Sequence, residues 1–337
     1  IDWKEREREL RDLCDRFRRT DGRYDCIVPG SGGKDSVYAA LRLKNDFGMH
    51  VLTVTWSPHL YTDWGWRNHR AWIDSGLDNY LHTPNGKVHR LLTRLAVDNL
   101  FHPFQPFVIG QKQLAPRLAR AFDVPLVFYG ENEAEYGNPT QDNTTSLRDP
   151  SYFEKQAPGL RGVFLGGVEA AEIVERFRLE RADLLPYLPA VPGSADVHYL
   201  GYYLRWHPQG CYYYATEKGG FEAAPERTPG TYSKYNSIDD KIDDFHYWTT
   251  YIKFGIGRAT YDAAQEIRSG DITREEGVAL VKRFDGEWPA RFAAEVFRYL
   301  SVDGLPEMTE ASFRALAEKF KSPHLWDGDR LRHKVWE

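Results

Sequence analysis

The sequence has few cysteines. Its 337 residues include only three, at Cys14, Cys26 and Cys211, and no two of them have the Cys-x-x-Cys spacing of a metal or redox motif. Three separated thiols cannot frame a disulfide-stabilised fold, so a hydrophobic core must hold the chain together, and its length suits one or two domains. A sulfur-transfer reaction that needs a catalytic cysteine pair is disfavoured for the same reason.

The sequence also lacks a long apolar run and a basic excess. No segment approaches 18 consecutive apolar residues, and no secretory signal opens the chain. The formal net charge is −5, whereas a nucleic-acid binder usually carries a basic stripe. We therefore expect a cytoplasmic protein with no membrane and no nucleic-acid partner. A homo-oligomer stays possible.

Short β-branched runs alternate with helical patterns in the first part of the chain. This alternation predicts an α/β fold with a doubly wound, mostly parallel sheet. Ligands bind such sheets beyond the carboxyl ends of the strands, so the segments that follow Pro29, Trp56 and Tyr129 should converge. The predicted strands are Tyr24–Pro29, Val51–Trp56 and Leu126–Tyr129, and the helices between them are Val37–Lys44, Arg67–Asp74, Val88–Leu100 and Gln111–Phe122.

The pattern changes after about residue 196. Val197–Trp206 predicts one more strand, and mainly helical patterns follow it. We predict three parts: an N-terminal helix in residues 1–22, a nucleotide-binding domain in 23–205, and a mainly helical substrate or partner region in 206–337. The polar stretch Asn138–Pro158 is predicted to be a long loop. The predicted C-terminal helices are Ser237–Ile267, Thr273–Phe284 with a capping box, and one that Thr309 opens.

A glycine-rich loop, Gly30–Ser36, joins the first predicted strand to the next helix. Its glycines let backbone N–H groups approach an anion, and the helix N-terminus adds partial positive charge. Lys34 adds a full positive charge, and Asp35 suits Mg²⁺. A Walker A loop is excluded because Val28 stands where its first glycine is needed and Asp35 where it needs Ser or Thr; the dinucleotide fingerprint also fails at Asp35.

The segment Ser31–Ser36 resembles the Ser-Gly-Gly-x-Asp-Ser signature of PP-loop ATP pyrophosphatases. The resemblance implies an adenine-nucleotide alpha-hydrolase-like fold in which ATP is cleaved between its α- and β-phosphates. It also implies that AMP is transferred to an acceptor oxygen while the loop holds pyrophosphate.

Four further blocks resemble the N-acetyl sugar amidotransferase family, and the resemblance extends from Tyr24 to Trp326. The family serves bacterial surface-sugar pathways, including lipopolysaccharide O-antigen and flagellin glycans. It converts the acetamido group of an activated sugar into an acetamidino group. The blocks are Phe128–Asn132, Gly230–Tyr235, Tyr251–Thr260 and Ser322–Trp326.

The resemblance implies ATP and Mg²⁺ as cofactors and an N-acetylated, nucleotide-linked sugar as substrate. The sequence contains no recognisable glutaminase nucleophile, so ammonia is expected from a separate glutaminase of the imidazole-glycerol-phosphate-synthase-like kind. The family also carries a Cys-rich, zinc-binding segment before the first strand. The present sequence starts at Ile1, so a structural Zn²⁺ is expected to be bound by residues upstream of it.

Candidate site residues are assigned from their positions after the predicted strands and from the two family resemblances. Thr55 and Trp56 are candidates for adenosine, although ordinary packing explains Trp56 equally well, and Glu135 is a candidate to assist the catalytic carboxylate. The predicted catalytic residues are Lys34, Asp35 (the Mg²⁺ ligand), Glu131 and Asn132. The predicted cofactor-binding residues are Ser31, Gly32, Gly33, Lys34, Asp35, Ser36, Thr55, Trp56, Gly130, Lys253 and Arg258, and the predicted substrate-binding residues are Arg227, Tyr232 and Lys234.

Two alternatives stay open at this point. Another PP-loop ammonia ligase, of the asparagine-, GMP- or NAD-synthetase kind, would share the ATP site and differ in its acceptor. A nucleotide-sensing subunit would bind without catalysis, although Lys34 and Asp35 favour an enzyme.

Overall fold

A five-stranded sheet, parallel throughout, lies at the centre of the structure, a computed structural model that describes residues 1–132, 145–148, 160–189 and 195–336. Its strand order is β3-β2-β1-β4-β7. These strands are β1 Cys26–Pro29, β2 Val51–Trp56, β3 Asp78–His82, β4 Leu126–Tyr129 and β7 Asp196–Tyr199. Two antiparallel hairpins complete the strands: β5 Phe164–Leu165 with β6 Val168–Glu169, and β8 Trp326–Asp327 with β9 Arg330–Leu331.

The central strands are apolar because helices cover both faces of the sheet. Every residue of β1, β2 and β4 is buried, as expected for parallel strands that solvent does not reach. The register pairs Cys26 with Val51 and Pro29 with Val54. The predicted α/β fold class is confirmed, and the predicted bounds of β2 and β4 agree with the structure.

Strand β3 is an element that the sequence did not predict. It lies at one edge of the sheet, and most of its side chains are exposed or half-buried, so it lacks the apolar run that marks a buried strand. Polar contacts help to hold it: the Asn79 side-chain amide donates to the hydroxyls of Thr53 and Thr55 at 2.9 and 3.0 Å.

Fourteen helices are present in the described residues, together with a 3-10 turn at Leu185–Tyr187. None of these helices is long and apolar enough to cross a membrane. They are α1 Trp3–Phe17, α2 Lys34–Asn45, α3 Asp63–Asp74, α4 Gly86–Leu100, α5 Gln105–Ala121, α6 Ala170–Phe177, α7 Arg181–Leu184, α8 Leu200–Tyr203, α9 Pro208–Gly219, α10 Asp243–Phe254, α11 Arg258–Ser269, α12 Arg274–Phe284, α13 Ala293–Leu300 and α14 Glu310–Phe320.

Two predicted elements have different bounds in the structure. The predicted helix Ser237–Ile267 is two helices, because Gly255 adopts a left-handed φ of 71° and ends α10 before α11 begins. The predicted strand Val197–Trp206 stops at Tyr199, where the chain turns into α8. The predicted capping box of Thr273 is confirmed.

The hydrophobic core joins the sheet to the C-terminal helices. One apolar cluster contains Ile27 and Tyr199 from the sheet together with Phe245 and Phe313 from α10 and α14. A second cluster, on the opposite face, packs α1, α2 and α9 against the sheet. The predicted division at residues 205 and 206 stays a prediction, and most of the predicted loop Asn138–Pro158 lies outside the described residues.

Arg94 is a buried link between α4 and the C-terminal helices. Its Nη1 donates to the carbonyl oxygens of Leu300 and Pro306, both at 2.8 Å, and its Nε donates to Asp98 at 2.8 Å. The residue is only 5% exposed. Its loss would leave buried carbonyl groups and a carboxylate without their donor, which is costly inside a protein.

We predict that Arg94→Met lowers the free energy of unfolding by about 3 kcal/mol. Arg70→Met is the matched control, since Arg70 has the same spacing to its partner Asp74 but an exposed side chain; such surface pairs contribute about 0–1 kcal/mol. Urea unfolding of the two variants measures the difference. Equal losses in both would contradict the role given to Arg94.

Candidate active site

A cavity of about 550 Å³ lies beyond the carboxyl ends of β1 and β4. The phosphate loop, defined here as Gly30–Ser36, forms one wall. Helix α5, Glu131, the segment Tyr235–Asp239 and residues of α10 and α11 form the others. The charged and polar residues that line it include Lys34, Asp35, Asn68, Gln111, Lys112, Glu131, Asn236, Ser237, Asp239, Asp243, Tyr247, Arg258 and Gln265.

The phosphate loop is shaped by close contact with α3. Gly32 has a φ of 89°, and a Cβ atom there would lie 2.7 Å from the Cα atom of His69 and 2.8 Å from the carbonyl oxygen of Asn68. Only glycine fits this position without displacing backbone. Gly33 is the N-cap residue of α2, so the loop leads directly into a helix N-terminus. The predicted strand–loop–helix arrangement is therefore present, with the loop facing the cavity.

Lys34 lies at the base of the cavity and is 6% exposed. Its Nζ is 2.6 Å from Oδ2 of Asp35. Burial disfavours the charged ammonium, but the nearby carboxylates, chiefly Asp35 and then Glu131, outweigh burial and raise the pKa of Lys34. Lys34 is therefore positively charged at neutral pH, as an interaction with phosphate requires.

Asp35 has one carboxylate oxygen available for a metal ion. Its Oδ2 meets Lys34, whereas its Oδ1 is buried and has no hydrogen-bond partner in the described part of the chain. Mg²⁺ commonly binds one or two carboxylates and completes its shell with phosphate oxygens and water. The described residues contain no cluster of three or more His, Cys, Asp or Glu able to hold a metal ion. Asp35 thus fits a Mg²⁺ that arrives with a nucleotide; the zinc expected upstream stays a prediction.

Gly130 and Glu131 follow β4 and reach the cavity, as predicted. The backbone of Gly201 in α8 donates to the carbonyl oxygen of Gly130 at 2.9 Å, which fixes this turn. Asn132 is 2% exposed and does not line the cavity. Glu135 lies outside the described residues.

Thr55 and Trp56 lie in the core and not in the cavity. Trp56 is 3% exposed and packs against His82 and Tyr187, while the Thr55 hydroxyl accepts from Asn79 in β3. The edge strand continues beside the end of β2 and covers it. The predicted convergence therefore holds for the segments after β1 and β4, but not for the turn after β2.

The two cations predicted to bind phosphate occupy different environments. Arg258 lines the cavity at the start of α11, where its Nε donates to Asp262 at 2.9 Å and its Nη1 donates to the Tyr247 hydroxyl. Lys253 is outside the cavity lining and donates to the carbonyl oxygen of Leu100 at 2.9 Å. The structure therefore keeps Arg258 as a phosphate-binding candidate and gives Lys253 a structural contact.

The three residues predicted to bind substrate also lie outside the cavity lining. Arg227 makes a bidentate ion pair with Glu287 at 2.6 and 2.7 Å, and Tyr232 donates to Glu266 at 2.7 Å. Lys234 donates to the carbonyl oxygen of Pro225 at 2.9 Å. These contacts support the segment that precedes the cavity wall. After residue 229, Tyr235 is the first residue that lines the cavity.

Asp239 and Asp243 line the cavity, and the sequence analysis missed both. Burial raises the pKa of the Asp243 carboxyl to about 8, with a further rise from Asp239, whereas Arg258 and the Ser237 hydroxyl act in the opposite direction. Burial also raises the pKa of Asp239, which is hydrogen-bonded to Ser31 of the phosphate loop. The two Asp-Asp pairs at 239–240 and 243–244 were the available signal, but the helical pattern of this region obscured it.

The cysteines occupy buried positions. Cys211, in α9, lies near Lys34, Asp35 and Glu131, and burial raises the pKa of its thiol well above the ordinary value. A protonated thiol is a poor nucleophile. The environment of Cys211 therefore does not favour a nucleophilic role.

Residues 229–337 match the family model described as "LPS biosynthesis protein WbpG-like, C-terminal domain". This part of the chain is WbpG-like. The WbpG-like region, named here for residues 229–337, supplies the wall from Tyr235 to Asp239 together with Asp243 and Arg258. The match supports the resemblance to the N-acetyl sugar amidotransferases. The phosphate loop leads from a parallel strand into a helix, as its signature predicts.

Several solved structures also match this chain, whereas curated proteins gave no match. The structure of NMN synthetase from Francisella tularensis is similar over 91% of this chain and 99% of that one, with 10% identity and a TM-score of 0.40. The U34-tRNA thiolase NcsA from Methanococcus maripaludis, solved with its [4Fe-4S] cluster, is similar over 98% of this chain and 85% of that one, with 11% identity and a TM-score of 0.37.

We predict that Gly32→Ala destabilises the protein by about 2–4 kcal/mol, because the new Cβ atom meets backbone of α3 in a left-handed conformation. Gly33→Ala is the matched control: a Cβ there meets only Ser31 Oγ, at 3.8 Å, and the φ of −67° suits alanine. Thermal unfolding without nucleotide separates the two variants. Similar stabilities would show that the contact with α3 does not constrain the loop.

A pH-dependent contribution of Asp243 to stability is also predicted. A carboxyl whose pKa is raised by folding stabilises the fold most at low pH, and that contribution is lost as pH rises from its unfolded value of 3.8 toward about 8. Asp243→Asn should therefore weaken the fall in melting temperature between about pH 5 and pH 8. Parallel melting curves of wild type and variant would disprove this contribution.

Proposed function

We propose that the chain is an ATP-dependent N-acetyl sugar amidotransferase. It transfers AMP to the acetamido oxygen of an N-acetylated, nucleotide-linked sugar and releases pyrophosphate. Ammonia then displaces AMP and leaves an acetamidino sugar. The observation that carries the proposal is the joint cavity, in which the PP-loop faces residues of the WbpG-like region.

The phosphate loop provides the means to hold the pyrophosphate that leaves. Backbone N–H groups at the start of α2 and the charged Lys34 form a preorganised anion site. Mg²⁺, bound by Asp35 together with phosphate oxygens, would neutralise more of the charge on these groups. Lys34, Asp35 and the loop N–H groups thereby favour cleavage between the α- and β-phosphates.

The acceptor must be activated because an amide carbonyl is a poor electrophile. Its nitrogen donates electrons into the carbonyl, and AMP transfer to the oxygen turns that oxygen into a leaving group. The chain supplies positioning for this step and needs no nucleophile of its own. Glu131 lies in the cavity near Lys34 and is the candidate to orient the acetamido group.

Ammonia is proposed to come from a separate glutaminase. The sequence shows no nucleophile elbow for glutamine hydrolysis. In the described residues, all three cysteines are buried. A reaction supplied with ammonium should therefore proceed without a partner, which allows the chain to be tested by itself.

The test incubates the protein with Mg-ATP, ammonium and a panel of nucleotide-linked N-acetyl sugars. We predict release of AMP and pyrophosphate only when the right sugar is present, together with a slightly lighter sugar in which NH replaces oxygen. Mass spectrometry of the sugar and a pyrophosphate assay measure the two products. Lys34→Met is the matched variant and should lose both, since it lacks the charge that binds phosphate.

Two outcomes would refute the proposed acceptor. Pyrophosphate release with no change in any sugar would keep the ATP chemistry and indicate another PP-loop ammonia ligase. Intact ATP in every mixture would instead indicate a nucleotide-sensing subunit.

A further inference from the structure

Four aspartates, in two adjacent pairs, mark the beginning of α10. Asp243 and Asp244 are the first two residues of α10, and Asp239 and Asp240 precede the helix by a few positions. Asp239 and Asp243 line the cavity, whereas Asp240 and Asp244 do not.

Asp240 and Asp244 are occupied by structural contacts. The Asp240 carboxylate accepts from Nδ1 and the backbone N–H of His59, both at 2.7 Å, and from the backbone of Leu60 at 3.3 Å. Asp244 accepts from Arg291 at 3.2 Å through both oxygens. These contacts fix the position of the whole segment and leave the other pair facing the cavity.

Asp243 is 9% exposed and opens α10 at the edge of the cavity. The hydroxyl of Ser237 is its hydrogen-bond partner, and Ser237 itself has a left-handed φ of 54°. Such a conformation is unfavourable for serine and persists where the surroundings demand it. Ser237, the strained residue, is therefore also the residue that holds the side chain of Asp243.

A carboxylate is unexpected in a cavity that receives a triphosphate, since like charges repel. It is useful if a cation must also enter. Ammonia in neutral water is mainly ammonium, which has no lone pair for attack and must first lose a proton. Asp239 is hydrogen-bonded to Ser31 of the phosphate loop itself, whereas Ser237, the partner of Asp243, lies outside that loop.

We propose that Asp243 is the residue that accepts the proton of ammonium for attack on the activated acceptor. This inference rests on the proposed function and assigns a catalytic residue to its second step.

The proton transfer completes the chemistry of that step. An N–H bond of ammonium breaks, its electron pair stays on nitrogen, and the proton moves to a carboxylate oxygen of Asp243. The nitrogen lone pair forms a C–N bond with the imidate carbon, and the C–O bond to AMP then breaks with its electrons leaving on AMP. The product is a cationic amidine, and no oxidant or reductant is needed.

The surroundings of Asp243 suit reversible proton transfer. With a pKa of about 8, the ionised form of Asp243 that accepts a proton is the minor form at neutral pH, and its fraction grows as pH rises. Asp239 and Asp240 favour the neutral form, and Arg258 from α11 favours the ionised form. Tyr247 lies one turn farther along α10. The other charged groups that line the cavity are Lys34 and Asp35 from α2, Lys112 from α5, and Glu131.

The test compares ammonium with hydroxylamine, which is mainly unprotonated at neutral pH and needs no base to become nucleophilic. With the sugar identified above, Asp243→Asn should form the acetamidino product from ammonium about 10²–10⁴-fold more slowly than wild type. Its reaction with hydroxylamine, which gives the N-hydroxy product, should stay close to wild type. Sugar-dependent pyrophosphate release in a single turnover should also be retained.

Two further variants complete the design. Asp243→Glu restores a carboxylate and should recover part of the ammonium reaction, which also covers the case in which the Asn variant folds poorly. Asp244→Asn removes the neighbouring buried carboxylate and should lower the melting temperature without changing the ratio of the ammonium rate to the hydroxylamine rate.

The possible failures are distinguishable. Equal losses with both nucleophiles in Asp243→Asn, or an unchanged ammonium rate, would overturn the role of Asp243 while the proposed function stands. If wild type shows no sugar-dependent pyrophosphate release, the proposed function fails, and the role of Asp243 fails with it.

Discussion

The contact between Asp240 and the loop after β2 is the interaction on which the site depends. One carboxylate accepts from the backbone and ring of His59, and a bridge between Tyr61 and Asp240 continues the contact. Next to it, the carbonyl oxygen of Asp239 accepts from the backbone of Thr62 at 3.1 Å. These bonds join the chain after residue 229 to the loop that leads into α3, and α3 in turn shapes the phosphate loop. The cavity wall that this part of the chain forms is therefore positioned by backbone and carboxylate contacts.

Charge in the cavity is divided between its walls. Lys34 and the start of α2 form an anion site on one side, while Asp239 and Asp243 stand on the side that the WbpG-like region provides. Arg258 also faces the cavity, and its positive charge is paired with the carboxylate of Asp262. The anion site and these two carboxyl groups therefore come from different parts of the chain.

The position of the phosphate loop was predicted from the sequence much better than the rest of the cavity. The phosphate loop lies between a buried strand and a helix, so neighbouring residues in the sequence are enough to predict it. Its close contact with α3 involves backbone atoms, which do not depend on the side chains there. Thr55 and Trp56 lie in the core, where Trp56 packs against Tyr187 and Thr55 accepts from Asn79 of β3. That polar edge strand has no apolar pattern by which the sequence could have shown it. Asp239 and Asp243 were missed because the direction of a side chain at the start of a helix depends on contacts such as those of Asp240 and Arg291, which are distant in sequence. Arg227 and Tyr232 have the right chemistry for a sugar, but carboxylates of the same region already hold them.

The apolar cluster that joins the sheet to the C-terminal helices limits how the chain can change in evolution. Ile27 of the central strand and Phe245 and Phe313 of the C-terminal helices belong to one core, and residue 229, where the WbpG-like match begins, precedes the wall of the cavity by only a few positions. Recombination could therefore not exchange the C-terminal part of the chain without also replacing much of the interior. A change of acceptor specificity would be expected to proceed through single substitutions along the cavity wall, with the two halves inherited together.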